Sequence, residues 1–354
     1  MLYYGAGNNN LSRDLHMEMG GLRNAGSSQE IQVVGQLAGD SGQVVRGEMA
    51  KIPVRFGAVH PEFVEKQKFQ ADMGQKETLS DFLAWGMETY PARHYLVIQA
   101  GHGNGHRGSM NDESTGSLLS LTEQREAFES APHGVDVLLK ESCMGASLEE
   151  AYEMKDTVGF YLGSQDLTKG SVDLNGFLRE ARLEARQTDL APDRVVSSLT
   201  QHPAKNLRTF SAVDCSRLSK VGEAVAEFRK ALDTPEEVEA AKLAAETTAR
   251  VDPDLGSLTS DSEVVVAKEL KRLQYRDAVG FAESVARSSQ TLESQAGKVA
   301  HTLQDAIVYH YSDAEHGGQT GLSWNLSPDP SITAGSNYQN LALAKETGWT
   351  GIIS

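Results

Sequence analysis

Two short motifs carry residue types that could do chemistry together: Gly101-His102-Gly103 and Glu141-Ser142-Cys143. A thiol attacks a carbonyl well only as its thiolate, and a neighbouring imidazole both takes the thiol proton and steadies the charge left on sulfur. Each motif closes an apolar run, His94 to Ala100 before the histidine and Val135 to Lys140 before the cysteine. Such runs read as buried strands. If they are parallel strands of one sheet, a base and a thiol arrive at the same carboxyl edge, where open α/β sheets place their chemistry. The expectation is a cysteine nucleophile, Cys143, served by His102.

The flanking residues suit those roles. Glycines on both sides of His102 leave room for a substrate backbone to come close. The amides of Gly103 and Cys143 could together hold the charge that develops on an attacked carbonyl oxygen. Gly145 permits a tight turn after the cysteine, and a helix is expected from about Ala146, its positive amino end lowering the thiol pKa. The competing readings are an inert core thiol at Cys143 and a loop histidine without a role at His102.

Gly103-Asn104-Gly105-His106-Arg107-Gly108 also matches the G-x-G-x-x-G pattern of dinucleotide sites. That fingerprint needs a helix to open at once, whereas here a polar loop runs through Gly116 before helical periodicity begins, so nucleotide binding is not supported. His102 and His106 are four apart but joined by two glycines and an asparagine, so they do not form a helical metal pair.

Acidic residues surround the pair. Side chains two apart on a strand point the same way, so Glu141 is expected to face the side of Cys143 while Lys140 and Ser142 turn away. The next strand, Phe160 to Gly163, leads to Ser164-Gln165-Asp166, which puts Ser164 and Asp166 at the same edge. An acidic wall beside the nucleophile would attract a cationic side chain. The competing reading pairs Glu141 with a local cation and makes Asp166 a loop cap.

These groups need elements to position them. The first two hundred residues alternate strand-like and helix-like patterns at βαβ spacing. Strands are expected near 2–5, 30–37, 94–100, 135–142 and 158–164, and helices near 11–25, 77–90, 121–131, 145–156 and 172–187. Segment 42–56 reads as extra strand or hairpin material. Ser120, with Glu123 three residues on, forms a capping-box pattern that starts the crossover helix into the cysteine strand. Beyond about residue 205 come a strand at 209–213, helical tracts at 215–232, 235–250, 264–273 and 277–310, and a short strand-like run from Gly321 to Leu326. The division expected is a catalytic core over 1–205 and a mostly helical C-terminal region over 206–354 with short strands packed on the core.

A chain of 354 residues with 39% hydrophobic content can bury a sizeable core. Its formal net charge of -16 opposes nucleic-acid binding and favours cationic partners. Only two cysteines, Cys143 and Cys215, occur, too few and too far apart for a disulfide framework or a zinc cluster. No apolar run reaches the roughly 20 residues that span a bilayer, and no basic-plus-apolar leader precedes Tyr3. A soluble, unexported protein is expected as written, or a secreted one whose leader was removed.

Taken together the motifs resemble the clostripain-like cysteine peptidases, relatives of caspases, gingipains, legumains and separases. Tyr4-Gly5-Ala6-Gly7-Asn8-Asn9-Asn10-Leu11 looks like that family's opening strand and turn, Gly101-His102-Gly103 its histidine motif, and Glu141-Ser142-Cys143-Met144 with Glu149-Glu150-Ala151-Tyr152 its cysteine motif and following helix. Ser211 to Asp214, Gly321 to Trp324 and Tyr338 to Trp349 resemble its C-terminal landmarks. The resemblance implies a caspase-like α/β/α sandwich with a mainly parallel central sheet, a His102/Cys143 dyad, and cleavage of peptides or proteins after Arg or Lys. Glu141 stands where the family usually has aspartate, which keeps the sign of the specificity pocket and changes its depth. Many relatives cut themselves between the two motifs, and here Arg107 is the expected site of at most one such cut. No cofactor is required by this chemistry; calcium stays open, because no EF-hand pattern appears. The alternative of another class is a catalytically degenerate caspase-like module that binds cationic peptides.

Overall fold

Runs that are apolar on both faces of a strand belong in the interior of a parallel sheet. The four buried residues of β1 (Leu2–Gly5) take such a place, parallel to β2 (Val34–Ala38) on one side and β5 (Leu96–Ala100) on the other. β5 pairs in parallel with β8 (Val135–Glu141), and β8 with β9 (Val158–Gly163). Antiparallel strands extend this parallel centre at both ends. β3 (Gln43–Pro53) and β4 (Val59–Gln70) continue from β2, and β10 (Thr209–Asp214) and β12 (Ile307–Ser312) from β9, giving a nine-stranded sheet, while β11 (Tyr275–Asp277) pairs with β13 (Ser323–Asn325) apart from it. The computed structural model describes residues 1–22, 25–39, 42–53, 59–168, 172–202, 207–251, 274–327 and 337–352.

Helices cover both faces. Tyr3, Ile98, Leu139 and Leu162 point to a layer formed by α1 (Ser12–Gly21), α5 (Leu174–Ala185) and α6 (Pro192–Gln201). Tyr4, Val97, Leu138 and Tyr161 point to the other layer. There lie α2 (Lys76–Thr89), α3 (Leu121–Glu129), α4 (Leu148–Glu153), α7 (Leu218–Ala231), α8 (Pro235–Thr247), α9 (Ala278–Ser288), α10 (Glu293–Ala306) and α11 (Ala342–Thr347). Trp324 and Trp349, 4.2 Å apart between ring centroids and fully buried, fasten the C-terminal segment to this second layer. The architecture is the mainly parallel α/β/α sandwich expected from the sequence.

Several expected elements shift. The 145–156 helix shrinks to α4, because Met144 to Ser147 are spent on a turn. The 277–310 helix breaks after Ser288, and its last part becomes β12, where Ile307, Val308, Tyr309 and Tyr311 prefer a pleated strand. β4 and α6 had no expected counterpart. The capping box is present, with Ser120 Oγ accepting from Glu123 N at 3.3 Å and Glu123 Oε2 accepting from Ser120 N at 2.9 Å. The helix expected at 264–273 lies outside the described residues.

Candidate active site

The register of the central strands sets the distance between the two motifs. Ala100 on β5 pairs with Glu141 on β8, and Gly101 N–H donates to Glu141 O at 3.2 Å, so the ladder runs on into both loops. His102 and Cys143 therefore each stand two residues past a paired position on neighbouring strands. Gly103 closes the gap. A Cβ built on it would lie 2.1 Å from the Cys143 carbonyl oxygen and 3.0 Å from the Cys143 nitrogen, so only glycine lets the histidine loop rest on the cysteine backbone.

The histidine loop is held from one side by β6 (Ser109–Asp112), which forms a short hairpin with β7 (Ser117–Leu119). Met110 N donates to His102 O and Asn104 N to Gly108 O, both at 2.9 Å, around a Gly103–Ser109 bridge. In this kind of antiparallel pair neither bridged residue bonds the other, so the Gly103 amide points away from β6. The loop then makes a single tight turn, Gly105–Arg107. Buried His106 anchors it. Its backbone N–H donates to Tyr275 Oη at 2.8 Å, and its Nδ1 lies 2.9 Å from the same oxygen and 3.1 Å from Asn325 Nδ2. His102 itself is half-buried, with Nε2 2.6 Å from Asn10 Oδ1.

The cysteine turn is built mainly from backbone. Met144 adopts the left-handed region at φ 56°, unusual for a residue with a side chain, and is fully buried. Its N–H donates to Asp166 O at 3.0 Å, and the next strand's loop also receives Ala146 N on Ser164 O at 2.8 Å. Cys143 is half-buried, and its Sγ accepts from Thr168 N at 3.4 Å, while Thr168 Oγ1 donates to Ser142 O at 3.0 Å. α4 starts at Leu148, two residues later than expected, and its Ser147 cap accepts from Glu150 N. That helix end is short, starts five residues past the cysteine and carries two carboxylates in its first turn. The second cysteine is different in kind: Cys215 is buried and burial pushes its thiol pKa well up.

Glu141, Ser164 and Asp166, expected as an acidic wall, each already have neighbours. Both Glu141 oxygens are shielded from solvent, and its charge, after burial and Glu18, helps to push the Tyr3 phenol up. Ser164 Oγ lies 2.8 Å from Thr209 Oγ1 and supports Asp166 N at 3.3 Å. Asp166 is wholly buried. Its carboxylate accepts from Leu167 N at 2.6 Å and faces His316 Nε2 at 3.1 Å and Arg208 at 3.8 Å. Burial raises its pKa, and the Leu167 amide, Arg208 and His316 oppose that. Arg107 sits in the anchored turn, and Gly108 after it has φ 121° with no room for a side chain beside Leu119 O.

A buried polar network beneath both loops had no sequence signal beyond its residue types. Lys140, on the face opposite Glu141, donates to Gln99 Oε1 (3.0 Å), Ser109 Oγ (2.8 Å) and Gln124 Oε1 (2.6 Å), and lies 3.9 Å from Glu150. Burial lowers its pKa to about 8 against the pull of Glu150. Tyr161 Oη lies 2.8 Å from Glu150 Oε2 and 2.7 Å from Gly145 O, and Glu149 accepts from Tyr338 Oη and Asn325 N. Burial raises both glutamates to about 7. Lys140 thus connects the strand of the cysteine to the strand and hairpin that carry the histidine. Among the described residues no group of three or more His, Cys, Asp or Glu side chains is placed to hold a metal, and no helix is long and apolar enough to cross a membrane.

Comparison with known proteins adds to this geometry. A family model for the clostripain family, peptidase C11, matches residues 3–351. Clostripain of Hathewaya histolytica is 28% identical over 109 residues, covering 27% of this chain and 21% of clostripain's own length. A secreted C11 cysteine protease from Bacteroides thetaiotaomicron, solved with an irreversible peptide inhibitor, superposes with a TM-score of 0.72 at 14% identity and 98% coverage of both chains. An inactive zymogen C11 protease from Parabacteroides distasonis gives 0.68 at 14% identity, covering 98% of this chain and 96% of its own. At such identities the two structures share the fold.

Proposed function

Since the chain belongs to the clostripain family of cysteine peptidases, we propose that it is an endopeptidase that cleaves after Arg or Lys through His102 and Cys143. The observation that carries the proposal is the seating of Gly103 on the Cys143 backbone, which brings the two loops into contact at one sheet edge. His102 takes the thiol proton, and Cys143 Sγ attacks the scissile carbonyl. The amides of Gly103 and Cys143 receive the oxyanion. His102 then protonates the leaving amine, giving a thioester, and in the second half activates the water that hydrolyses it. With α4 displaced, the imidazolium is the charge that stabilises the thiolate.

Glu141 receives the substrate's basic side chain, with Ser164 and Asp166 as the floor behind it. Arg208 and His316 already lie against Asp166, which fits its place behind the pocket. Peptide and protein substrates with basic residues are the proposed partners. A fluorogenic Arg or Lys peptide is expected to be hydrolysed by wild type and not by Cys143→Ala; equal rates would defeat the proposal. The same two proteins test self-cleavage, for which Arg107 is the proposed and single site. The anchored turn must open before the bond after Arg107 can be cut, so the wild type is expected to convert slowly to one pair of fragments that the variant lacks. Any other fragment pair would remove Arg107 from the proposal.

A further inference from the structure

The run Asn8-Asn9-Asn10 divides its work in a way that separates the third residue from the other two. Asn8 is buried, donates to Asp112 Oδ1 and Ser114 Oγ, and accepts from Gly42 N. Asn9 is buried too, donates to the backbone oxygens of Ala6 and Asn111, and accepts from Leu11 N. These bonds fix the β1–α1 turn against the β2–β3 connection and the β6–β7 hairpin, and the same hairpin holds His102 O through Met110 N. Asn10 is exposed and its side chain contributes none of those bonds; its Oδ1 sits 2.6 Å from His102 Nε2. An exposed turn asparagine ordinarily bonds its own backbone or water. Here two rigidly joined segments, 92 residues apart in sequence, aim an acceptor at one ring nitrogen.

We propose that Asn10 is a positioning residue of the peptidase reaction, holding His102 in the tautomer and ring orientation that leave Nδ1 to take the Cys143 proton. An amide oxygen accepts only, so the neutral imidazole keeps its proton on Nε2 and its lone pair on Nδ1. In the first step the S–H bond breaks, its electron pair stays on sulfur, and the new N–H bond forms at Nδ1. The Nε2–H to Asn10 bond survives that step and strengthens, because its donor becomes charged. Asn10 thus favours the ion pair over the neutral pair.

This inference rests on the His102/Cys143 reading, and the test separates the two. Asn10→Ala is expected to lower kcat on an Arg or Lys peptide about tenfold, the worth of one such hydrogen bond, with KM and melting temperature nearly unchanged. Asn10→Asp, which preserves shape and adds a charge, is expected to move the imidazole limb of the kcat/KM pH profile upward by about one unit. In a His102→Ala background, Asn10→Ala should leave the iodoacetamide rate of Cys143 where His102→Ala alone leaves it. If His102→Ala is inactive while Asn10→Ala and Asn10→Asp match wild type in kcat and pH profile, Asn10 has no such role and the dyad stands. Equal further losses from Asn10→Ala with and without His102 would make it a structural residue and overturn the inference. Full activity in His102→Ala would instead sink the underlying dyad.

Discussion

The histidine loop and the cysteine turn lie side by side at one edge, yet they are fixed by different means. The cysteine turn is held by backbone bonds to the loop that ends the next strand, Met144 N to Asp166 O and Ala146 N to Ser164 O. The histidine loop has backbone bonds to β6 and β8, but it depends in addition on side chains from remote segments, Asn10 near the amino end and Tyr275 and Asn325 more than 160 residues later. The place of Cys143 is therefore built into the sheet, whereas that of His102 depends also on distant segments being docked. Two-part construction of this kind makes the histidine side the more easily disturbed.

The largest effect is expected where the two sides touch. Gly103→Ala puts a methyl into the Cys143 carbonyl, and one loop must give way. A displacement of about 1 Å costs on the order of a hundredfold in kcat/KM, with about 1–3 kcal/mol of stability lost to overpacking. Steady-state kinetics and thermal melting would read both, and a near wild-type rate would mean that the loops are not in contact. Tyr275→Phe attacks the histidine side alone. It leaves the buried His106 N–H without its phenol partner, which costs about 1–3 kcal/mol, and kcat is expected to fall about tenfold as the loop loosens. Thr168→Ala is the matched change on the cysteine side. It removes one bond to Ser142 O while the Thr168 amide stays on Sγ, so a loss of about 1 kcal/mol and a rate within about threefold of wild type are expected. A larger kinetic loss from Thr168→Ala than from Tyr275→Phe would reverse the comparison.

The network under both loops adds a pH dependence of smaller size. The folded-state pKa of Glu149 is raised from 4.5 to about 7, so the folded protein binds more protons than the unfolded chain between those values. By linkage its contribution is fullest below about pH 4.5 and is lost as pH rises to about 7, on the order of 3 kcal/mol in all. Glu149→Gln keeps an acceptor for Tyr338 and Asn325 and should flatten part of the fall in melting temperature across that window, Glu150 supplying the rest. An unchanged slope would show that Glu149 ionises normally.

Much of this arrangement was legible because short-range signals agreed with the fold. Leu96 to Ile98 and Val137 to Leu139 are apolar on both faces, as interior parallel strands require, and so the common edge followed. Ser120 and Glu123 announced α3 by local capping chemistry alone. What was not legible depended on long-range partners. Lys140 read as a residue turned from the cysteine, because its three acceptors come from β5, β6 and α3. Asn10 read as part of a turn, because the histidine that it meets is 92 residues away. The α4 start was misplaced since a left-handed methionine leaves no composition signal, and β12 was absorbed into a helix because it follows α10 without a breaker.

The claim on which the account depends is that the imidazole of His102 activates the sulfur of Cys143. The direct measurement is the pH dependence of iodoacetamide alkylation at Cys143, followed by peptide mass, in wild type and His102→Ala, with buried Cys215 as the internal control. The account predicts a wild-type thiol that reacts well below the ordinary thiol range near pH 8.5 and a His102→Ala thiol that returns to that range. Superimposable profiles for the two proteins would contradict it.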